Sequence, residues 1–253
     1  MQDTQQVSRF TATVDATVLD AKLQIIDAIA DEALFQLRED GLFVRVIDAA
    51  EVAMVESDLP AAAFEQYESD GGMLGIDIGK LAEAVALADA DDPVISLALD
   101  PEARKLTIDG ADFSYAIAPL HPDSVRNVPD VPTADLPNQF TIEASDLQRA
   151  ISACARLANT VRVTVDPDAE TVSFRAEADV DDLEFTYDRD RLPALDAAAE
   201  TETILSLDYT DRIVSEMAGE VTIRLGEEKP AFFAFERDGI SVQNMVAPRF
   251  VRT

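Results

Sequence analysis

The feature that most constrains this chain is an internal repeat with a spacing of 128 or 129 residues. Apolar positions of the first half return in the second half in the same order. The matched positions are Leu34 with Val163, Phe43 with Val172, Ile95 with Ile223, Leu97 with Leu225, and Ala118-Pro119 with Ala247-Pro248. Several positions that agree on one spacing are much harder to obtain by chance than a single match. The sequence therefore predicts two topologically equivalent domains, since two repeats are too few for a solenoid.

A proline-rich stretch from Pro119 to Pro137 separates the two copies and holds five of the twelve prolines. Proline fixes φ, lacks a backbone N–H and biases the preceding residue toward extended conformations. We therefore predict an extended connector over residues 119–137. It would join an amino-terminal domain of residues 1–118 to a carboxyl-terminal domain of residues 138–253.

Each copy is predicted to contain two amphipathic helices and many short strands. Apolar residues at helical spacing favour helices over residues 15–30, 79–90, 145–157 and 208–218. Short apolar runs bounded by turn residues predict strands, among them a hairpin of residues 33–37 and 42–47 around Asp40-Gly41. The predicted fold class is a pair of α+β domains.

The charge balance is strongly acidic, with 50 Asp and Glu against 20 Lys and Arg and a formal net charge of -30. Disorder is a poor explanation, because 47% of the residues are hydrophobic and they are regularly spaced. We favour a cytosol of molar salt, where repulsion between surface carboxylates is screened. A protein that imitates nucleic acid or binds basic partners is the remaining interpretation.

The cysteine content, the amino terminus and the length of the apolar runs all favour a cytoplasmic protein. Cys154 is the single cysteine, which excludes an internal disulfide, and the amino terminus has no basic region followed by an apolar one. No apolar run approaches the roughly 20 residues that span a bilayer. We expect no membrane association.

Signatures of catalysis are weak in this sequence. His121 lies between Leu120 and Pro122 in the connector, where a solvated loop residue is expected rather than a base. Cys154 falls on the apolar side of a predicted helix and is expected to be a buried hydrophobe. The glycines form no phosphate-binding loop, and the abundant carboxylates show no metal-ligand spacing. We predict no catalytic residue, metal or cofactor.

Basic residues recur on the predicted helices despite the overall acidity. Arg149 and Arg156 lie two turns apart on the third helix and share a face. Lys22, Lys80 and Arg212 each lie on another helix. The simpler interpretation of these cations is that they form ordinary surface ion pairs with Asp and Glu.

Several segments resemble the DNA polymerase sliding clamps of the archaeal and eukaryotic type, the proliferating cell nuclear antigen family. The most specific is the carboxyl-terminal stretch SLDYTDRIVSEMAGEVTIRLGEEKPAFFAFERDGISVQNMVAPRF, with its Leu-x-Tyr helix and closing Ala-Pro-Arg. RVIDAAEVAMVESDLPAAAFEQY, GIDIGKLAEAV and YAIAPLHPDSVRNVPDVP are similar to further family segments. The resemblance covers essentially the whole chain.

The resemblance implies two equivalent clamp domains, each with two helices on antiparallel sheets, in a protomer that forms a closed homotrimeric ring around duplex DNA. The partners implied for such a ring are the clamp loader, DNA polymerase, flap nuclease and ligase. By resemblance, partners insert a short hydrophobic motif into a groove formed by Ile47, Val125, Val128, Val131, Pro230, Met245, Ala247 and Pro248.

The resemblance also implies a seam and a DNA-facing surface. The strand around residues 113–118 would pair with the strand around residues 171–176 of the next protomer, through Phe113, Tyr115, Ile117, Val172 and Phe174. The DNA-facing cations would be Lys22, Lys80, Arg149, Arg156 and Arg212.

The sequence departs from the family in its inner helices, which are more acidic than those of most members. The first helix carries Asp20, Gln24, Asp27 and Asp31 on its outer side. Molar salt weakens phosphate contacts in any case, because the logarithm of the DNA-binding constant falls with the logarithm of the salt concentration, with a slope of about −0.9 per contact. The alternatives are an acidic two-domain protein that mimics DNA, a divergent clamp with a specialised repair role and, third, metal-assisted hydrolysis by carboxylates.

Overall fold

The computed structural model describes residues 9–131 and 135–250. The first half contains nine strands and two α-helices in that described part. In chain order they are β1 Phe10–Asp15, α1 Ala16–Asp27, β2 Glu32–Arg38, β3 Gly41–Ile47, β4 Ala53–Pro60, β5 Gln66–Ser69, β6 Met73–Asp77, α2 Ile78–Val85, β7 Val94–Asp100, β8 Lys105–Asp109 and β9 Ser114–Ile117.

The second half has the same order of elements. They are β10 Asn138–Glu143, α3 Ala144–Ala155, β11 Thr160–Asp166, β12 Thr171–Glu177, β13 Asp182–Asp188, β14 Ala194–Ala197, β15 Thr201–Ser206, α4 Leu207–Ser215, β16 Glu220–Leu225, β17 Ala231–Arg237 and β18 Ile240–Val246. Short 3-10 turns follow β4, β9 and β13. The internal repeat and the predicted α+β class are therefore confirmed.

The chain forms two compact units. The first unit contains the residues up to Ile47, together with Val55–Pro129 and Asp238–Ser241. The second unit contains Asp48–Met54, Asp130–Arg237 and the residues from Val242 onward. Along the chain, the main change of unit falls between Pro129 and Asp130, inside the stretch predicted as a connector. Two short segments, residues 48–54 and 238–241, belong to the unit of the other half.

The first unit is built on antiparallel strands. Five of them form a sheet in the order β5-β1-β7-β8-β9. Strands β4, β3, β2 and β6 are neighbours in that order, with β2 antiparallel to both β3 and β6. The two helices pack side by side. Helix α1 buries Leu19, Leu23 and Ile26, the stripe that its apolar spacing predicts.

The second unit repeats this arrangement. Strands β14, β10, β16, β17 and β18 are neighbours in that order, and a four-stranded sheet runs β13-β12-β11-β15. Helices α3 and α4 pack together and bury Leu147, Ile151, Cys154 and Ile213. The side-chain amide of Gln148 on α3 donates to three carbonyl oxygens at the end of α4, those of Val214, Ser215 and Met217, at 3.0 to 3.3 Å. Gln148 thereby adds hydrogen bonds to the last carbonyl groups of α4 from the neighbouring helix.

The hairpin predicted around Asp40-Gly41 is confirmed, because Arg38 pairs with Gly41 across a two-residue loop. Gly41 has a φ of +148°, and a Cβ there would lie 2.3 Å from the carbonyl oxygen of Leu59. The close approach of β4 therefore requires glycine at this turn.

Several element boundaries differ from the predicted ones. Helix α2 ends at Val85 rather than near residue 90. Beyond it, the Asp89 carboxylate accepts the Asp91 N–H at 2.9 Å, a local bond that competes with a continuing helix. The prediction also omitted β1, although Phe10, Ala12 and Val14 alternate inward in strand fashion. The prediction also omitted the short strands β5 and β14, which have four residues each.

Candidate functional sites

One of the five predicted DNA-facing cations is wrong. Lys22 of α1 has 0% of its surface exposed. Its Nζ donates to the carbonyl oxygen of Ser57 at 3.0 Å and to the Ser57 hydroxyl at 2.7 Å. Burial lowers the pKa of Lys22 to about 7, with the Asp58 carboxylate opposing the shift and Arg38 adding to it. The prediction failed because residues 21–23 are all buried, so the buried stripe of α1 is wider than the apolar spacing indicated.

The other four predicted cations are exposed and lie on the other three helices or at a helix end. They are Lys80, Arg149, Arg156 and Arg212. Two of them pair with a carboxylate three residues earlier: Lys80 lies 3.0 Å from Asp77, and Arg149 lies 3.0 Å from Asp146. Such pairs reduce the charge that is available to a phosphate. The DNA-facing role of these four residues stays a prediction.

Strand β9 lies at the end of the five-stranded sheet of the first unit. Its outer N–H and C=O groups have no strand partner in the described part of the chain. Phe113 and Tyr115 are half-buried beside this edge, and Ile117 is buried. An edge of this kind can pair with a strand of another chain.

The predicted seam strand of the second unit is wrong. Strand β12 is hydrogen-bonded on both sides, to β11 and to β13, and its Val172 and Phe174 are buried inside the unit. A strand with two partners has no free row of backbone groups. The edge strands of this sheet are β13 and β15, and β13 alternates exposed Asp182, Glu184 and Thr186 with half-buried Leu183 and Phe185. The charged residues of β13 are a signal of an edge that the sequence interpretation overlooked.

A cluster of charged and aromatic side chains fixes β13 against α3. The guanidinium of Arg149 lies 5.5 Å from the ring centroid of Phe185 on β13. Arg191 lies 4.7 Å over the ring of Tyr187, whose hydroxyl donates to the Asp146 carbonyl oxygen at 3.0 Å. Arg149 is therefore as much a neighbour of the β13 edge as a member of the helix surface.

The residues predicted to form a partner groove are distributed over both units. In the first unit, Val125 is buried and Ile47 and Val128 are half-buried. In the second unit, Met245 is buried, and the half-buried members are Val131, Pro230, Ala247 and Pro248. The partly exposed members offer apolar surface to a partner. Their action as one groove is part of the proposed function.

The loop before β4 is held by one carboxylate of the second unit. Asp48 is buried and accepts the backbone N–H groups of Ala50 at 2.7 Å, Val52 at 2.7 Å and Ala53 at 2.6 Å. The Val52 carbonyl oxygen then accepts the N–H of Ala247 at 2.7 Å. Asp48 thus shapes the loop that fixes the segment containing Ala247 and Pro248.

The ionisation of Asp48 is part of this arrangement. Burial opposes the charged form, but the backbone hydrogen bonds and one from the Tyr209 hydroxyl outweigh it, so the pKa of Asp48 is lowered. The same hydrogen bond raises the pKa of Tyr209, which lies on α4. The charged carboxylate therefore links the loop, α4 and the segment at Ala247.

The candidates for chemistry are placed as the sequence indicated. His121 is exposed, and its Nδ1 accepts the Asp123 N–H at 3.3 Å. Cys154 is buried, and this raises the pKa of its thiol to about 11. Residues 9–131 and 135–250 contain no group of three or more His, Cys, Asp or Glu side chains that could hold a metal ion. No helix within these ranges is long and apolar enough to cross a membrane.

Comparison of the fold with solved structures identifies the class. It superposes on Archaeoglobus fulgidus PCNA, in a structure described as the C-terminal region of FEN-1 bound to A. fulgidus PCNA, with a TM-score of 0.88 and 25% identity over 96% of this chain and 100% of that chain. PCNA from Thermococcus kodakaraensis gives a TM-score of 0.85 at 21% identity, covering 95% of this chain and 100% of that chain. The fold is that of the sliding clamps.

Sequence comparison extends this from fold to family. Residues 10–109 match the family model for the N-terminal domain of proliferating cell nuclear antigen. The DNA polymerase sliding clamp of Natronomonas pharaonis is 39% identical over 245 residues, covering 95% of this chain and 98% of the relative. That of Haloarcula marismortui is 37% identical with the same coverage. The chain belongs to the proliferating cell nuclear antigen family of DNA polymerase sliding clamps, which are processivity factors. The haloarchaeal relatives also agree with the interpretation of the acidic composition.

Proposed function

We propose that three copies of this chain form a closed ring around duplex DNA and tether the replicative polymerase and other DNA-processing enzymes, without catalysis by the chain itself. The observation that carries the proposal is the 39% identity to a DNA polymerase sliding clamp over nearly the full length of both chains. The proposed location is the cytoplasm, and the proposed ligand is DNA of any sequence.

The seam of the ring is proposed to form between β9 of one copy and β13 of the next. Each strand lies at one edge of its own sheet, and each alternates exposed residues with half-buried or buried ones. Antiparallel pairing would satisfy both rows of backbone groups and cover Tyr115 and Phe185. A head-to-tail contact of this kind closes into a ring when the rotation is one third of a turn.

The test of the seam is the mass of the assembly in molar salt, measured by light scattering. The expected mass is three times that of the 27.5 kDa chain. A stable monomer at micromolar concentration would contradict the proposed ring.

Retention on DNA is proposed to depend on topology rather than on affinity. The exposed cations Lys80 and Arg149 are paired with carboxylates, and molar salt removes most of the affinity that phosphate contacts supply. A closed ring stays on DNA because it can leave only through an opened seam or a DNA end. A weakly attractive inner surface is compatible with sliding.

This mechanism predicts a difference between circular and linear DNA. A clamp placed on nicked circular DNA by its clamp loader should survive a salt wash and be released when the circle is linearised. Equal loss from both forms would show that affinity, not topology, retains the protein. The cut itself is controlled with a second circle that carries no recognition site for the nuclease.

Partners are proposed to bind through short hydrophobic motifs at the predicted groove, and they include the clamp loader, DNA polymerase, flap nuclease and ligase. The solved structure described as the C-terminal region of FEN-1 bound to A. fulgidus PCNA supports binding of a partner through a terminal segment. The apolar, partly exposed Ala247 and Pro248 support the proposed location.

The groove is tested with Ala247→Asp and Pro248→Asp. Either change drives a charge into apolar surface and should weaken binding of a FEN-1 C-terminal peptide. Ala234→Asp is the matched control, because Ala234 is exposed on β17 and lies outside the predicted groove. Unchanged affinity in both groove variants, with a normal trimer mass, would move the site elsewhere.

A further inference from the structure

The first part of the connector is attached to the first unit at two places. Leu120 donates its N–H to the Gly75 carbonyl oxygen at 2.9 Å, which joins the start of the connector to β6. After the turn Pro122–Ser124, Val125 is buried against the unit. Further along, at Pro129, the attachment is made by a side chain, that of Arg45.

Arg45 lies on β3 and contacts three different parts of the first unit. Its Nη1 donates to the Pro129 carbonyl oxygen at 3.3 Å. Its Nε lies 2.5 Å from the Glu56 carboxylate on β4, and both side chains are only 19% exposed. The guanidinium also lies 5.5 Å from the ring centroid of Phe43. These contacts leave the planar guanidinium little freedom to turn.

The acceptor at Pro129 is the carbonyl oxygen of a residue that cannot donate a hydrogen bond from its backbone. Proline has no N–H, so its carbonyl oxygen is its only backbone hydrogen-bonding group. The charged donor of Arg45 strengthens the bond, and the Glu56 partner keeps the donor oriented. Arg45 thereby connects Pro129 to β3 and β4.

We propose that Arg45 is a positioning residue for partner binding: it fixes Pro129 and so holds the connector residues Val125 and Val128 in the shape that the partner groove needs. The inference rests on the proposed function, because the groove itself is part of that proposal. Arg45 acts through the connector. Its own charge is balanced by Glu56, so it does not serve to attract an acidic partner from a distance.

Arg38 provides a matched control on the neighbouring strand β2. Its guanidinium stacks over the same Phe43 ring at 3.8 Å, and it lies 3.9 Å from Asp58. In the described part of the chain its hydrogen bond goes to Gln36 at 2.9 Å rather than to the connector. Loss of Arg38 therefore removes a similar arginine without releasing Pro129.

The experiment compares Arg45→Met, Arg45→Lys and Arg38→Met in the full-length protein. Hydrogen exchange of the backbone amides of residues 126–128 measures the order of the connector, and calorimetric titration with a FEN-1 C-terminal peptide measures affinity. Arg45→Met should speed the exchange and weaken peptide binding about tenfold, equivalent to about 1.4 kcal/mol. Arg45→Lys keeps the charge beside Glu56 and should recover part of the affinity. Arg38→Met should leave both quantities as in the wild type.

Each outcome has a definite consequence. Unchanged exchange or unchanged affinity in a folded, trimeric Arg45→Met variant would overturn the proposal, as would equal effects in Arg38→Met. The groove is judged separately by Ala247→Asp: if that change leaves peptide affinity unaltered, the proposed groove fails, whatever Arg45→Met does to the exchange. If Arg45→Met does not fold, Arg45→Lys decides, because faster exchange together with weaker binding supports the proposal and wild-type values for both overturn it.

Discussion

Substitution of Lys22 by Met should remove a specific part of the pH dependence of folding. Lys22 is fully buried, and its pKa is lowered by burial from 10.5 to about 7. Methionine has a similar length and no charge, so it fills the same space without a proton to gain or lose. The change also removes the donor to Ser57. For that reason the test compares how the free energy of unfolding changes with pH, rather than its absolute value.

The direction in which stability changes with pH depends on whether the folded or the unfolded chain keeps the Lys22 proton. Between pH 7 and 10.5 the unfolded chain keeps Lys22 protonated while the folded chain loses the proton, so the wild type gains stability as pH rises. Each unit of pKa difference corresponds to about 1.4 kcal/mol. Relative to Lys22→Met, the wild type should therefore gain about 2 kcal/mol between pH 7 and pH 9.

The assay is denaturant unfolding of both proteins in molar salt at several pH values in this range. The other groups that titrate near its upper end are common to both proteins and cancel in the difference. Lys80→Met is the control, because Lys80 is exposed and its pKa is raised by its hydrogen bond to Asp77. Because the pKa of Lys80 is raised above 10.5, the stability that it contributes is lost only at pH values above the range that is measured. The free energy of unfolding of Lys80→Met should therefore change with pH in parallel with that of the wild type. Parallel curves for Lys22→Met would refute the argument and show that Lys22 is hydrated.

Three further predictions concern the loop, the hairpin and the seam. Asp48→Asn should lower the free energy of unfolding by about 2 kcal/mol at neutral pH. The difference should shrink as pH falls through the lowered pKa of Asp48, because protonation removes the same charge; calorimetric scans at several pH values would show it. Gly41→Ala should destabilise the fold by several kcal/mol in thermal melts, since the added Cβ meets the Leu59 carbonyl oxygen at 2.3 Å. Tyr115→Asp should shift the mass in light scattering from three chains toward one, and an unchanged trimer would argue against β9 as a seam strand.

Much of the fold could be predicted from local patterns and from the repeat. Helices α1, α3 and α4 begin within one residue of their predicted starts, because an apolar stripe at helical spacing is a local property. The hairpin of β2 and β3 followed from its turn residues. The ends of strands and the short strands β5 and β14 were harder to predict, since tertiary hydrogen bonding determines where they form.

The candidate sites were predicted less well where packing decides. The sequence could not show that Lys22 turns inward, because a lysine beside apolar neighbours can also extend along the surface into water. Alternation alone could not distinguish β12 from β13 as an edge strand, since both strands alternate in the same way, and the charged residues of β13 were the signal that was overlooked. Arg45 and Asp48 have roles that depend on partners far away in sequence or on a backbone geometry that composition does not contain.

The sequence by itself determined the duplication, the proline-rich connector, the α+β class and the acidic surface, and its motifs indicated the clamp family. These are properties of spacing and composition, which do not depend on how distant segments meet. The tertiary structure decided that β13 is an edge strand, that Lys22 is buried, that Arg45 contacts Pro129 and that Asp48 binds the loop before β4. Long-range pairing determines which backbone groups remain free and which charges leave water, and neither can be derived from local sequence.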